Sequence, residues 1–226
     1  MNLDPDDEYK GRNNLKFLYN TAKNLKVDFI SFFILYLPKR KKSEQFSDFN
    51  KIIKQPELYQ SAFNNDYLKD YYITNKFIKR ELLEKVFKYF KNKINGEKWN
   101  YHEDNIWSIL VHKLANISVF VNEKIYYYYK NSDSEMYNRG NILEIENLLY
   151  RNEMYREIFK KKEEEKYIIT GYLDLIHISD KYIDIINKNE IIKNKCVKEL
   201  NNFINKFNLS EEIIKKANDL KIKFFI

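Results

Sequence analysis

One stretch decides the fold: Val27-Asp28-Phe29-Ile30-Ser31-Phe32-Phe33-Ile34-Leu35-Tyr36-Leu37, the most apolar run in the chain. It is about half the ~20 residues that cross a bilayer. Its β-branched and aromatic side chains favour extended backbone over helix, and Pro38 stops it. The run therefore reads as a buried strand, against the alternative of a segment lying in a membrane interface. On its N-terminal side, residues 13–25 place Leu15, Leu18, Ala22 and Leu25 at helical spacing. On its C-terminal side, residues 39–50 are polar and charged, a loop or an insertion, and residues 56–67 predict one helix.

Further along, Thr74 reads as the cap of a helix over residues 75–91, with Phe77, Ile78, Leu82, Val86 and Phe90 as its apolar stripe. Asn95-Gly96 marks a turn. A helix is predicted to start near Asp104, with Ile106, Ile109, Leu110 and Leu114 facing inward. Residues 117–121 and 125–129 alternate like strands, and Asn122-Glu123-Lys124 between them predicts a hairpin. From Asn141 the text is helical without a fixed-period repeat, and Ser210-Glu211-Glu212 opens the last predicted helix. The expected organisation is a mixed α/β part over residues 1–135 and a helical extension over residues 136–226.

Composition narrows the chemistry. The 226 residues contain 19 Tyr and 16 Phe but only 4 Gly. No GxGxxG and no GxxxxGK[ST] occurs, which excludes a self-contained dinucleotide or P-loop enzyme. A single cysteine, Cys196, excludes a disulfide scaffold and a Cys-based zinc site, and His102, His112 and His177 form no HExxH. The net charge of +7 is scattered beside acidic residues, the pattern of solvated helix faces. The acidic N-terminus has no apolar core of signal-peptide length, so the expectation is a cytoplasmic protein with, at most, peripheral contact to the inner face of the membrane.

Two acidic groups carry candidate chemistry. Asp4-Pro5-Asp6-Asp7 crowds three carboxylates, an oxygen-only donor set suited to Mg²⁺ or Mn²⁺ that a nucleotide diphosphate completes. The plainer reading is a solvated acidic terminus or a helix cap. His102-Glu103-Asp104 opens an amphipathic helix, where a carboxylate can serve as a general base. Acidic residues also favour the first turn of any helix because of its dipole.

In order along the chain, LDPDDE (3–8), VDFISF (27–32), ITNKFIKRELLE (73–84), NYHEDNIWSILVHKLA (100–115) and VFVNEKIYYYYKNSDS (119–134) resemble the successive motifs of the family 2 glycosyltransferases, inverting enzymes of GT-A fold. The resemblance covers residues 1–135. It implies that Asp4, Asp6 and Asp7 bring a divalent metal, Mn²⁺ or Mg²⁺, to the diphosphate of a nucleotide-sugar donor. It implies that Asp104 is the catalytic base toward a glycan or lipid-linked acceptor, with Glu103 in support, in cell-surface polysaccharide or glycan biosynthesis. His102 then assists positioning or is a local hydrogen-bond partner. Trp107 is a sugar platform or a core residue. Asn75, Lys76 and Lys79 are acceptor contacts or helix surface, and Lys130 meets a phosphate or solvent.

The chain departs from the family in one respect. The family's DxD closes a nucleotide-binding half, whereas Asp4 here is the fourth residue. The expected fold class is therefore α-rich α/β: a partial GT-A fold lacking that N-terminal half, followed by C-terminal helices. A fragment, one piece of a split enzyme completed by a partner chain, and a non-catalytic remnant all fit. The 226-residue chain alone is not expected to turn over a nucleotide sugar. The alternative class is a non-enzymatic, basic helical interaction protein that binds RNA or an anionic membrane surface. No RNP-type aromatic strand or helix-turn-helix supports nucleic acid.

Overall fold

The structure, a computed structural model, describes residues 8–11, 13–37, 50–61, 73–91, 103–129 and 142–225. In chain order its elements are β1 (Glu8–Tyr9), α1 (Asn14–Leu25), β2 (Phe29–Leu37), β3 (Ile52–Lys54), α2 (Glu57–Ser61), β4 (Lys76–Ile78), α3 (Arg80–Lys91), α4 (Glu103–Leu114) and β5 (Ile117–Tyr129). Then follow α5 (Ile142–Ile158), a 3₁₀ turn (Lys162–Glu164), α6 (Glu165–Lys181), α7 (Ile183–Asn187), α8 (Glu190–Lys206) and α9 (Glu211–Lys223). The chain divides into two compact units, one holding β1 to β5 with α1 to α4 and the other holding α5 to α9.

The apolar run is the strand β2, and it lies in the middle of a mixed sheet. β5 runs parallel on one side of it and β4 antiparallel on the other. β5's outer edge is shared by two short strands, β3 against Ile117 to Val119 and β1 against Tyr126 and Tyr127. A strand flanked on both sides and covered on both faces must be apolar throughout, which is why β2 does not alternate. Ile30 and Phe32 join Leu18 of α1, Val119, Val121, Ile125 and Tyr126 in a buried cluster on one face. Phe29 on the opposite face meets the His112 ring of α4 at 4.9 Å.

Asp28 fastens the start of this sheet. Its carboxylate Oδ2 accepts the Asn116 N–H at 2.7 Å and the Ile117 N–H at 3.3 Å. Its own N–H donates to the Ile117 carbonyl at 2.8 Å, and its carbonyl accepts from the Lys79 N–H at 2.8 Å. Gln55 Nε2 donates to the carbonyls of His112 and Ala115, both at 2.7 Å, serving carbonyls that the end of α4 leaves without helical partners.

Two expectations are corrected. The predicted helix over 75–91 begins only at Arg80, because residues 76–78 are the strand β4. Ile30 pairs with Phe77 and Phe29 with Ile78, so the sheet claims two residues that also fit a helical stripe. The predicted hairpin is a single strand, β5. Ser31 pairs with Phe120 and Ile34 with Tyr126, so three steps along β2 match six along β5. The surplus falls on either side of the Phe33–Lys124 pair, around the exposed Asn122-Glu123-Lys124, and the strand is bulged there instead of reversed. The helix predicted over 56–67 is described only as α2, with residues 62–67 outside the described part, as are 38–49 and Asn95-Gly96. The three-residue strand β3 carried no sequence signal.

In the helical unit, Ser210 caps α9 with its Oγ accepting the Ile213 N–H, as the sequence suggested. Arg156 of α5 pairs with Glu199 of α8 and donates to the Tyr172 hydroxyl of α6, while that hydroxyl donates to Glu199 Oε2 at 2.8 Å. The Tyr172 ring stacks on Phe203 with centroids 4.4 Å apart. Burial, aided by Glu199, drives the Tyr172 phenol well above its usual range and so keeps it a neutral donor. Burial likewise pushes the Cys196 thiol up to about 11, so this cysteine is inert packing.

Two expected outcomes follow. Asp28→Ala strips the acceptor from two strand-start amides and should cost about 1–2 kcal/mol in urea unfolding followed by circular dichroism. Gly171 of α6 lies so close to α5 that an added Cβ would stand 2.5 Å from Asn152 Oδ1 and 2.9 Å from the Tyr155 ring. Gly171→Ala should therefore destabilise by about 1–3 kcal/mol despite alanine's better helix propensity, read as a lowered thermal midpoint.

Candidate functional site

Alternation from Ile34 places Tyr126 and Tyr128 on the α1 face of the sheet, where both pack on the core, and Tyr127 and Tyr129 on the opposite face. Tyr126 is fully buried and meets the Tyr9 ring edge-on at 5.3 Å. The Tyr129 hydroxyl donates to Glu8 Oε1 at 2.7 Å. β1 begins with Glu8, immediately after the Asp4-Pro5-Asp6-Asp7 run, and pairs with the carboxyl end of β5. β1 thus lies at the carboxyl ends of the parallel pair β2 and β5. In open α/β sheets that is the edge where ligands bind.

Helix α4 covers the face of β2 opposite α1. Its end is fixed near the start of β2 by the His112–Phe29 contact, and it enters β5 through Ala115 and Asn116. Asp104, Ser108 and His112 recur at intervals of four, one above another on the helix. Ser108 and His112 are buried, and the His112 Nδ1 lies 2.8 Å from the Ser108 carbonyl. Eight residues of helix rise about 12 Å, which separates Asp104 from the end of α4 that His112 fixes against Phe29. Asp104 is half-buried in the first turn, where the helix dipole favours the carboxylate.

β4 brings a third contribution. Ser31 is the antiparallel partner of Lys76, so both side chains share the α4 face. Asn75 and Lys76 are 4% and 0% exposed, which removes the helix-surface reading of both. Lys76 Nζ donates to Asn75 Oδ1 at 3.0 Å. Lys79 is exposed and pairs loosely with Glu81 at 3.9 Å. Trp107 is neither a bare platform nor a fully buried core residue: it is half-buried, with the exposed Phe87 of α3 edge-on at 5.0 Å.

The sheet thus brings Glu8 and Tyr129 together at the carboxyl end of β5, whereas Lys76 faces Ser31, six residues before the Leu37 that pairs with Tyr129. Glu103 is the first residue of α4. Asp4, Asp6, Asp7, His102 and Lys130 lie outside the described residues. Sequence reasoning did not single out Glu8, although its place directly after three aspartates was a signal, or Ser31, hidden inside an apolar run. Among the described residues no group of three His, Cys, Asp or Glu side chains is arranged to hold a metal, and no helix is long and apolar enough to cross a membrane.

Comparison with known proteins places this architecture. The chain is similar in structure to S. aureus TarS 1-349 in complex with UDP-GlcNAc, with a TM-score of 0.61 and 13% identity over 99% of this chain and 64% of that one. It is similar to TarS 1-349 in a second crystal structure, at a TM-score of 0.59 over 63% of that chain, and to a longer TarS at 0.58 over 38%. TarS is a glycosyltransferase, so the mixed α/β fold seen here is one that a glycosyltransferase uses. The chain spans just under two thirds of TarS 1-349. No protein-family model matches the sequence, and no curated protein matches it.

The Phe87–Trp107 contact gives the site region its own probe. In a Trp99→Phe background, Phe87→Ala should shift Trp107 emission to the red and cost about 1 kcal/mol, both read in one fluorescence-monitored urea titration.

Proposed function

We propose that the chain is part of an inverting glycosyltransferase of the GT-A, family 2 type, which moves a sugar from a nucleotide-sugar donor to an acceptor hydroxyl. The observation that supports this reading is the fold, which matches a UDP-GlcNAc-bound structure over 99% of this chain, with Asp104 a carboxylate in the first turn of α4. UDP-linked sugars are accordingly the donor class to test first. Glycans or lipid-linked glycans of the cell surface, met at the inner face of the membrane, are the acceptors.

In this mechanism the acceptor hydroxyl oxygen attacks the anomeric carbon from the side opposite the diphosphate. Its proton passes to the Asp104 carboxylate, and the bond from the anomeric carbon to the diphosphate oxygen breaks with its electron pair leaving on the diphosphate. One displacement inverts the configuration. Asp104 needs no nearby acid to do this, because the leaving group departs as an anion. The donor set of Asp4, Asp6 and Asp7, oxygen only and anionic, fits Mn²⁺ or Mg²⁺, and Glu8 adds a fourth carboxylate at the start of β1. A bound cation would supply Lewis-acid stabilisation of the departing diphosphate.

Asp104→Asn keeps the side-chain shape and removes the proton acceptor. In the protein that carries this chain it should lower kcat by roughly 10²- to 10⁴-fold while leaving Mn²⁺-dependent UDP affinity, measured by calorimetry, unchanged. A kcat within threefold of the parent would overturn the assignment of Asp104. Absence of any UDP binding, together with salt-sensitive RNA binding, would favour the interaction-protein alternative.

A further inference from the structure

Helix α1 covers the sheet with little of its own surface. Only Leu18 of its twelve residues is buried. Four large apolar side chains remain in water: Leu15, Phe17, Tyr19 and Leu25 are 50%, 41%, 58% and 38% exposed. Among the described residues no other element exposes so many, and apolar surface gathered in one place marks an interaction site more often than scattered residues do. The charge here is equally one-sided. Residues 9–27 hold Lys10, Arg12, Lys16, Lys23 and Lys26 and no Asp or Glu, in a chain with 33 acidic residues that elsewhere sit beside the basic ones. Lys10, Lys16, Lys23 and Lys26 are exposed. At about 3.6 residues per turn, Lys16, Asn20 and Lys23 form the outward centre of α1, opposite Leu18. Leu15 and Tyr19 border that centre on one flank and Phe17 borders it on the other.

We propose that the outer face of α1 docks the protein on an anionic membrane surface, with the lysines at the lipid phosphates and Leu15, Tyr19 and Phe17 at the level of the headgroups. Lysines interleaved with Phe, Tyr and Leu are the composition of helices that lie in the plane of the interface. The lysine stems cover apolar surface while their ammonium groups stay at the phosphates. A tyrosine there keeps its ring in the apolar zone and its hydroxyl wet. The same face fits a protein partner poorly, because lysine is depleted from protein interfaces and here stands at the centre. It fits RNA poorly, because the aliphatic Leu15 and Leu25 offer no ring on which a base could stack. The attraction is carried by a few exposed charges, so docking is reversible and weakens with salt. α1 and α4 lie on opposite faces of the sheet, so docking through α1 leaves the α4 face uncovered. The inference does not depend on the transferase reading, which the UDP titration tests separately.

Flotation of the protein that carries this chain, with vesicles of phosphatidylcholine and phosphatidylglycerol in equal parts and with phosphatidylcholine alone, tests the proposal. The parent should float with the anionic vesicles at low salt, fail to float with the neutral ones, and be released as salt shortens the Debye length. Lys16→Gln with Lys23→Gln should weaken vesicle affinity roughly 10- to 30-fold, at about a factor of five per lysine. Leu15→Ser with Tyr19→Ser should weaken it as well while keeping the parent's far-ultraviolet circular dichroism. If that second pair fails to fold, the lysine pair, whose side chains are exposed, decides alone. Vesicle affinity equal to the parent's in the folded lysine variant overturns the proposal, as does a parent that ignores anionic vesicles. Salt-sensitive RNA binding that the lysine variant loses, with vesicles ignored, overturns it in favour of nucleic acid.

Discussion

The first unit depends on the way Asp28 ties three chain segments together. Its main chain and carboxylate together engage Asn116, Ile117 and Lys79, so the starts of β2 and β5 and the exit from β4 are set by one residue. Parallel strands cannot be joined by a tight turn, and their pairing closes a long loop at an entropic cost. Here the closing segment holds β3, α2, β4, α3 and α4. The Asp28 carboxylate offsets part of that cost with charge-assisted bonds to amides that would otherwise face the sheet edge unmatched. Once the amino ends are pinned, the carboxyl ends are positioned by strand geometry, and the Glu8–Tyr129 contact lies at the end of the sheet opposite the clamp.

Much of this was legible because hydrophobic patterning is local. The run at 27–37 announced a buried strand, Leu18 and Ala22 an amphipathic helix, and Ile106, Ile109 and Leu110 the buried side of α4. The failures have one physical cause: pairing partners are distant in sequence. Phe77 and Ile78 fit a helical stripe with Leu82 as well as a short strand, and only β2, some fifty residues earlier in the chain, decides between them. Asn122-Glu123-Lys124 has the composition of a turn, and only the register against Phe33 shows that it is not one. Burial of Lys76 is equally invisible, since nothing in NKFIKR distinguishes the first lysine from the second.

The helical unit holds its charges differently. Arg156, Glu199 and Tyr172 come from three helices and satisfy one another beside the Tyr172–Phe203 stack. A group of this kind adds little stability over an apolar replacement, but loss of one member strands the others in low dielectric. It therefore serves to specify which helix faces meet. Its consequence is geometric uniqueness within α5, α6 and α8.

The bulge in β5 separates two parts of one strand. Below it, Ile117 to Phe120 is locked to Asp28 and β3; above it, Tyr126 to Tyr129 presents rings alternately to the core and to the opposite face. Side chains alternate with a period of two, so the length of the insert acts as a parity switch. Changing it by one residue exchanges the roles of the four tyrosines, whereas changing it by two restores them. The exposed triplet is thus free in side-chain composition but constrained in length, and the spacing rule falls on residues whose side chains face solvent.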